Sequence, residues 1–555
     1  MRRGKPINMG VIVVIAVVAM VALSAIGLIA SLGDGGSFGG GKTLEQLTKD
    51  LKYIEAEKVK AAIDLSDASL YDELPDINKY PLVVESRADI VLEIFSSPEK
   101  AGEKSDKESW LVEVAQDYNK ADNRTSDGKT MGISVRNVSS GLAADYIISG
   151  KAVPELFSPS NAYWAALVKS NGKIANLECE RLVGNTAGIM VKKSLGYKDI
   201  DSIIEAVIAG ELNLGYTNPQ VSSAGMNLLL TVLDKYGNGN FTSDEAISGF
   251  RLFQQNIPYV AYNTVQMAKS AGTGALDCMV SEYQTYINNK EFVRDYDFIP
   301  YGIRHDNPLY SCVQLSAAQR ECLESFIEYA TNKDNQKLAT AYGFNGNEDY
   351  KDAFEAPSGN VIEQAERIWK SNKDSGRPIV AVFVCDTSGS MDGVPLLQLK
   401  ESLTNGMKYI NDTNYIGLVS YGSKVTKELD IAEFTLDQKA YFQGAINRLT
   451  ASGNTYTYEA IAIAMKMINE AQKLHPEAKC MIFLLSDGRA NGNYTLRDIT
   501  GALNTAEVPV YTIAYGSSAD SAELQRLSDV NEAAFISADS DDIVYKIRSL
   551  FNATL

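Results

Sequence analysis

Apolar and polar positions alternate differently along three parts of the chain. Residues 9–30 (MGVIVVIAVVAMVALSAIGLIA) are an uncharged apolar run, of the length, about 20 residues, that crosses a bilayer as one helix. A Gly-rich stretch follows, and then 44–76 carries a polar, helical pattern (LEQLTKDLKYIEAEKVKAAI) that predicts a stalk. Around residue 90 the pattern changes. The apolar strand IVLEIF ends in Ser96-Ser97-Pro98-Glu99, helical SWLVEVAQDYNKA follows, and the strand GISVRNV ends in Ser139-Ser140-Gly141. A helix from about residue 142 leads to Ser158-Pro159-Ser160-Asn161, and LNLGYTNPQVSSAG runs from a strand through Thr217 to Ser222-Ser223 at a helix start. Strand, hydroxyl-rich turn and helix in repetition predict a parallel-rich α/β sheet, whose strand ends are where such sheets bind ligands. Each hydroxyl cluster taken alone is explained by capping and turns; several of them at corresponding strand ends point to a cleft.

The last third is more regular. The continuous apolar segment 379–385 (IVAVFVC) predicts a strand buried on both faces. A helix over 396–410, strands at 415–421 and 425–434, helices over 438–449 and on to 474, strands at 480–485, 508–515 and 533–537, and a closing helix at 543–551 complete a doubly wound α/β domain. The polar character of 425–434 predicts a sheet edge. Three strand ends carry the chemistry: Asp386, Ser388 and Ser390 in D-x-S-x-S, then Thr455, then Asp487. Carboxylates and hydroxyls are hard oxygen donors suited to Mg²⁺, Mn²⁺ or Ca²⁺ rather than zinc.

Charge and composition narrow the setting. At 555 residues, with 45% hydrophobic and 22% charged positions, the chain supports two or three cores. Its net charge of -18 argues against a nucleic-acid partner. Arg2, Arg3 and Lys5 precede the apolar run, and the positive-inside tendency holds them in the cytoplasm. The run is longer than the roughly 7–15 apolar residues of a cleaved leader, which favours a single-pass anchor. A cleaved leader is the competing reading, and either places everything after residue 32 outside the cytoplasm. Residues 36–43 (GSFGGGKT) match the letters of a phosphate-binding loop, but no buried strand precedes them, so they predict a flexible tether. Six scattered cysteines form no C-x-x-C pair, leaving disulfides open. His305 and His475 lie in polar, proline-adjacent stretches that predict surface positions, and no nucleophile arrangement accompanies them, so an enzyme is not expected.

Two resemblances follow from these residues. The order of IFSSPEK, NVSSG, LFSPSNAYW, GYTNPQVSSAG, GALDCMVSEYQTY and the 306–344 segment resembles bacterial extracellular solute-binding proteins of the two-lobed periplasmic type. That resemblance implies ligand contacts at Ser96, Ser97, Ser139, Ser140, Ser158, Asn161, Thr217, Ser222, Ser223 and Tyr283, with an oxyanion or other small solute as ligand. Residues 377–555 resemble a von Willebrand factor A domain, whose metal-ion-dependent adhesion site would place Ser388, Ser390 and Thr455 on the metal and hold it through Asp386 and Asp487 partly by way of water. The resemblance further implies that a Mg²⁺ or Mn²⁺ ion (or Ca²⁺) held by only two carboxylates would stay electrophilic and accept an acidic residue of a partner protein. The expected organisation is a basic tip and anchor at 1–32, a linker and stalk at 33–79, a solute-binding-like region at 80–355, a linker at 356–376 and the A domain at 377–555. The expected function is a membrane-anchored adhesion protein of a bacterial surface; a surface solute receptor associated with transport or sensing is the alternative.

Overall fold

A computed structural model describes residues 42–64, 69–102, 107–258, 260–261, 267, 276–488, 490–515, 519–531, 533–538 and 542–555. The apolar run at 9–30, read above as an anchor, lies outside the described residues. Among the described residues no helix is long and apolar enough to cross a membrane.

The chain begins its sheets with a three-residue strand, β1 (Tyr53–Glu55), and then builds two lobes. The first contains β2 (Leu82–Val84), β3 (Ile90–Ser96), β4 (Met131–Asn137), β5 (Leu156–Ser158) and β6 (Asn176–Cys179). The chain then crosses to the second lobe for β7 (Thr186–Lys192), β8 (Leu214–Thr217), β9 (Val260–Ala261), β10 (Cys278–Glu282) and β11 (Tyr296–Arg304), and returns for β12 (Leu309–Ser311). The sheet orders are β2-β4-β3-β5-β12-β6 and β11-β7-β10-β8-β9. β3 pairs in parallel with both β4 and β5, so Ser96, Asn137 and Ser158 finish side by side at the carboxyl ends of these strands. Two crossings, at 180–185 and 305–308, join the lobes.

The third sheet has the order β1-β15-β14-β13-β16-β17-β18. Its own strands are β13 (Ile379–Asp386), β14 (Tyr415–Tyr421), β15 (Val425–Glu433), β16 (Lys479–Ser486), β17 (Val510–Tyr515) and β18 (Phe535–Ala538). Every residue of β13 is buried. Successive side chains of a strand alternate in direction, and here Ile379, Ala381, Phe383 and Cys385 join one core while Val380, Val382 and Val384 join the other. The helices Val394–Gly406, Leu436–Arg448 and Ile543–Thr554 cover the first face, and Thr457–Gln472 and Leu496–Ala506 cover the second. This is the doubly wound architecture that the apolar runs predict.

The helical stalk expected over 44–76 is corrected. Among the described residues of that stretch, only Leu44–Thr48 and Leu70–Glu73 are α-helical. Between them β1 adds to the third sheet in parallel, Tyr53 opposite Val425, so β15 is not an edge strand. Main-chain bonds continue past the strand: Ala56 N donates to Lys427 O at 3.0 Å and Ala61 N to Ala440 O at 3.0 Å. Glycine at 444 is what lets the chain pass, because a Cβ there would sit 1.8 Å from Val59 O. Local helix propensity is a weak prior, and the hydrogen bonds of an otherwise open edge outweigh it. Both lobes are consequently inserted between the first strand of the third sheet and the rest of it.

The 356–376 segment, expected as a linker, contains the helix Gly359–Asn372. It buries Ile362, Ala365 and Trp369 against the lobes and reaches both of them. Glu363 accepts from Asn171 in the first lobe at 2.8 Å, and Trp369 Nε1 donates to Tyr216 Oη in the second at 2.8 Å. Lys370 Nζ, on the same helix, donates to Tyr409 O at 2.8 Å in the third unit. All six cysteines are unpaired.

Candidate functional site

The carboxyl ends of β13 and β16 lie side by side, with Cys385 opposite Leu485, so Asp386 and Asp487 leave the sheet together. Asp386 is wholly buried, Ser388 and Thr455 nearly so, and Ser390 exposed. The turn after β13 folds back on its own carboxylate: Ser388 N donates to Asp386 Oδ1 at 2.9 Å, and the hydroxyls of Ser388 and Ser390 stand 3.1 Å apart. The second loop is pinned to the first by main-chain bonds, Gly389 N to Gly453 O at 3.0 Å and Ser452 N to Thr387 O at 2.7 Å. Thr455 is fixed in turn by Asn491, whose Oδ1 accepts from Thr455 N at 2.7 Å. The five predicted residues thus stand on three adjoining loops at one end of the sheet.

Three supporting residues escape the sequence reading. Ser486 Oγ donates to Asp386 Oδ2 at 2.6 Å, Tyr421 Oη donates to the same oxygen at 3.2 Å, and Asn491 holds the Thr455 loop. Ser486 stands immediately before Asp487 at the strand end, a position that could have marked it. Tyr421 ends the neighbouring strand, and only the register reveals it.

The electrostatics of this end suit a cation. Burial pushes the Asp386 carboxyl up from its ordinary value, hydroxyl and amide donors pull it down, and the charge of Asp487 raises it again. No lysine or arginine pairs with Asp386 among the described residues. A buried carboxylate at Asp386 with a second one nearby, hydroxyl oxygens beside it and no lysine or arginine paired with it among the described residues, is a donor set that a hard divalent ion would complete. Nor do three or more His, Cys, Asp or Glu side chains gather as a metal cluster among the described residues, so serine and threonine oxygens have to supply part of any coordination here.

The cleft residues of the two lobes divide into groups. Ser96, Ser97, Ser140, Ser158 and Asn161 gather on the first lobe, all buried, with Ser139 half-buried at the start of the helix Ser140–Ser149. Ser222 caps the helix Ser223–Gly237 on the second lobe, its Oγ 2.6 Å from Thr217 Oγ1. Trp164 Nε1 crosses from the first lobe to Ser223 Oγ at 2.8 Å. Tyr283 packs its ring against Phe298, with centroids 5.3 Å apart, in an aromatic group of the second lobe.

An unpredicted cation occupies this region. Lys100 is wholly buried, and its Nζ donates to Ser97 Oγ at 2.5 Å and Ser158 O at 2.9 Å, with Glu99 Oε1 at 3.6 Å. Burial pushes the lysine down to about 8, and the charges of Glu99 and of Glu282, on the second lobe, work against that fall. His305 corrects the expectation of a surface position. It is wholly buried at the lobe crossing, with Nδ1 2.7 Å from Glu282 Oε1 and Nε2 3.0 Å from Asn161 Nδ2. Nothing in the local text DNP announces this, since its partners come from 144 and 23 residues away.

Family models agree with this division. Residues 104–345 match "Bacterial extracellular solute-binding protein" and residues 381–550 match "von Willebrand factor type A domain". Among curated proteins, inter-alpha-trypsin inhibitor heavy chain H1 of Mesocricetus auratus is 26% identical over 159 residues, 27% of this chain and 17% of its own length. A von Willebrand factor A domain-containing protein of Dictyostelium discoideum is 27% identical over 180 residues, 31% of this chain and 18% of its own. The chain therefore spans less than a fifth of those relatives. Among solved structures, iron-bound HitA from Pseudomonas aeruginosa is similar at 14% identity over 52% of this chain and 99% of that one, with a TM-score of 0.37. A von Willebrand factor type A protein from Catenulispora acidiphila is similar at 20% identity over 32% and 42%, with a TM-score of 0.29. Both matching families are binding modules rather than enzyme families, and the solute-binding one is extracellular, in keeping with an extracytoplasmic chain. Residues 104–345 are a bacterial extracellular solute-binding domain and residues 381–550 a von Willebrand factor type A domain, joined in one chain.

Proposed function

We propose that the protein is an extracytoplasmic adhesion or assembly factor that acts by binding, not catalysis, and that its A domain captures an acidic residue of a partner protein through Mg²⁺ or Mn²⁺. The observation that carries this reading is Asp386: buried, unpaired by any lysine or arginine among the described residues, and ringed by oxygen donors. Ser388, Ser390 and Thr455 would hold the ion, with Asp386 and Asp487 behind them. The bound ion would supply an electrophilic position for a carboxylate. The protein's own contribution is to keep the hydroxyls converged and the carboxylates ionised, which Ser486 and Tyr421 assist by donating to Asp386. The apolar run at 9–30 would tether the chain as a single-pass anchor.

A second reading, a receptor for a small anion or other solute, has one observation in its favour: Ser158 Oγ and Asn218 Nδ2 are buried without a partner. Against it stands Glu99, whose carboxylate already matches the charge of Lys100 beside the same hydroxyls and would repel an anion.

Water-proton relaxation with Mn²⁺ tests the first reading. Bound Mn²⁺ with an open position gives enhanced relaxation, and a glutamate-bearing peptide should reduce it by displacing the exchanging water. Enhancement that ignores the peptide, or that is equal in Asp386→Ala, would contradict the proposal.

A further inference from the structure

A cavity of about 600 Å³ lies between the second lobe and the third sheet. It opens at Lys479, the first residue of β16, whereas Asp487 follows the last. Eight residues of strand separate the two ends, about 25 Å, so the cavity is distinct from the metal site. Its size is in the range of small-molecule sites, about 300–1,000 Å³.

Three cations face this space: Lys373, Arg377 and Lys479. Lys373 is paired with Asp374 at 2.9 Å. The other two are short of counter-charge. Among the described residues the Arg377 side chain reaches only a carbonyl, Gln255 O at 3.4 Å, and its Nε is buried with no hydrogen-bond partner there. Lys479 has no carboxylate within ion-pair distance among the described residues. Burial pushes the lysine down to about 8, Asp374 raises it, and Arg377 and Lys373 lower it further. Glu507 at the rim is exposed. A buried donor without an acceptor and adjacent like charges are both costly, and one ligand with several anionic oxygens would relieve both.

We propose that this interdomain cavity binds a small multivalent oxyanion, a polyphosphate or polycarboxylate, held by Arg377 and Lys479 with Lys373 beside them. Such a ligand touches the lobe at Gln255, the connecting segment at Arg377 and the A domain at Lys479, and so fastens the two binding modules together. A monovalent anion would leave one of the two cations unmatched.

The test uses the full chain in metal-free buffer of constant ionic strength, with pyrophosphate and citrate as probes and sodium chloride as reference. At about 5 mM, one or both should raise the melting midpoint by several degrees and slow trypsin cleavage after Lys373 roughly fivefold, as a ligand specific to the folded state requires. Response to pyrophosphate alone would identify a phosphorylated ligand, and response to citrate alone a polycarboxylate. Arg377→Gln and Lys479→Gln should each lose the response, while Lys337→Gln on the exposed surface should keep it. The proposal is overturned if neither probe exceeds sodium chloride, or if Lys479→Gln responds as fully as the parent. Should Arg377→Gln fail to fold, Lys479→Gln and the trypsin rates of the parent decide the matter.

Discussion

The strand end at Asp386 and the cleft floor at Lys100 are built from the same materials and reach opposite electrostatic solutions. Each gathers serine hydroxyls where parallel strands end, and each buries a charged side chain among them. At Asp386 the charge is negative, and among the described residues hydroxyl and amide donors meet it, with no lysine or arginine. At Lys100 the charge is positive, and the chain supplies its own carboxylate in Glu99, with Glu282 facing from the other lobe. A buried charge without an opposite one is costly, so on the proposed function the first site is completed by an ion from outside, whereas the second is internally balanced. Similar hydroxyl-rich turns in a sequence therefore do not imply similar ligands; the charge that folds in beside them decides.

The comparison breaks most visibly at the cleft. Lys100→Met strands Glu99 as a buried carboxylate and should cost about 3 kcal/mol or more of stability, as removing one member of a buried pair does. Glu99→Gln with Lys100→Met should recover most of that loss in chemical denaturation. If the single substitution is harmless, the cleft is not balanced by this pair.

At the other site the expected loss is in metal binding. Asp386→Ala should weaken Mn²⁺ binding by roughly a hundredfold, at the upper end of what loss of a supporting partner costs. Thr455→Ala removes one hydroxyl and should weaken it by roughly tenfold, with little change in melting temperature without metal. Titration by calorimetry or electron paramagnetic resonance reads both.

The smallest effect is a pH slope. The folded pKa of Lys100 lies below its unfolded value, near 8 against 10.5. Between those limits the unfolded chain binds more protons, so this group's contribution to stability is poorest below pH 8 and improves as pH rises toward 10.5. Relative to the Glu99→Gln/Lys100→Met variant, the parent should gain about 1 kcal/mol across that window, a discounted share of the shift because Glu99 titrates with it. No change in the difference between the two proteins would place Lys100 in a solvated environment.

What was legible in the sequence is what local pattern can carry. The continuous apolar text of β13 announces a strand covered on both faces, and D-x-S-x-S at its end announces oxygen donors on one turn. The order of hydroxyl-rich turns announces two lobes. Features made by distant pairing were not legible. Tyr53–Glu55 joins a strand more than 370 residues later, within text whose local preference is helical. His305 is buried by Glu282, Asn161 and Asn227, none of which its neighbours in the chain predict. Lys100 reads as a solvated charge on a short helix, and only the meeting of β3 with β5 encloses it. Tyr421 and Ser486 support Asp386 through strand register, which a single sequence does not fix.

The most direct test of the central claim is a calorimetric titration of Mn²⁺ into the full chain beside an Asp386→Ala/Ser388→Ala variant that retains the parent's circular dichroism. The account predicts one saturable site in the parent and none in the variant. Equal binding in the two, or no binding in the parent, would mean that the buried carboxylate of Asp386 is satisfied by its hydroxyl neighbours alone and that the A domain does not engage partners through a metal.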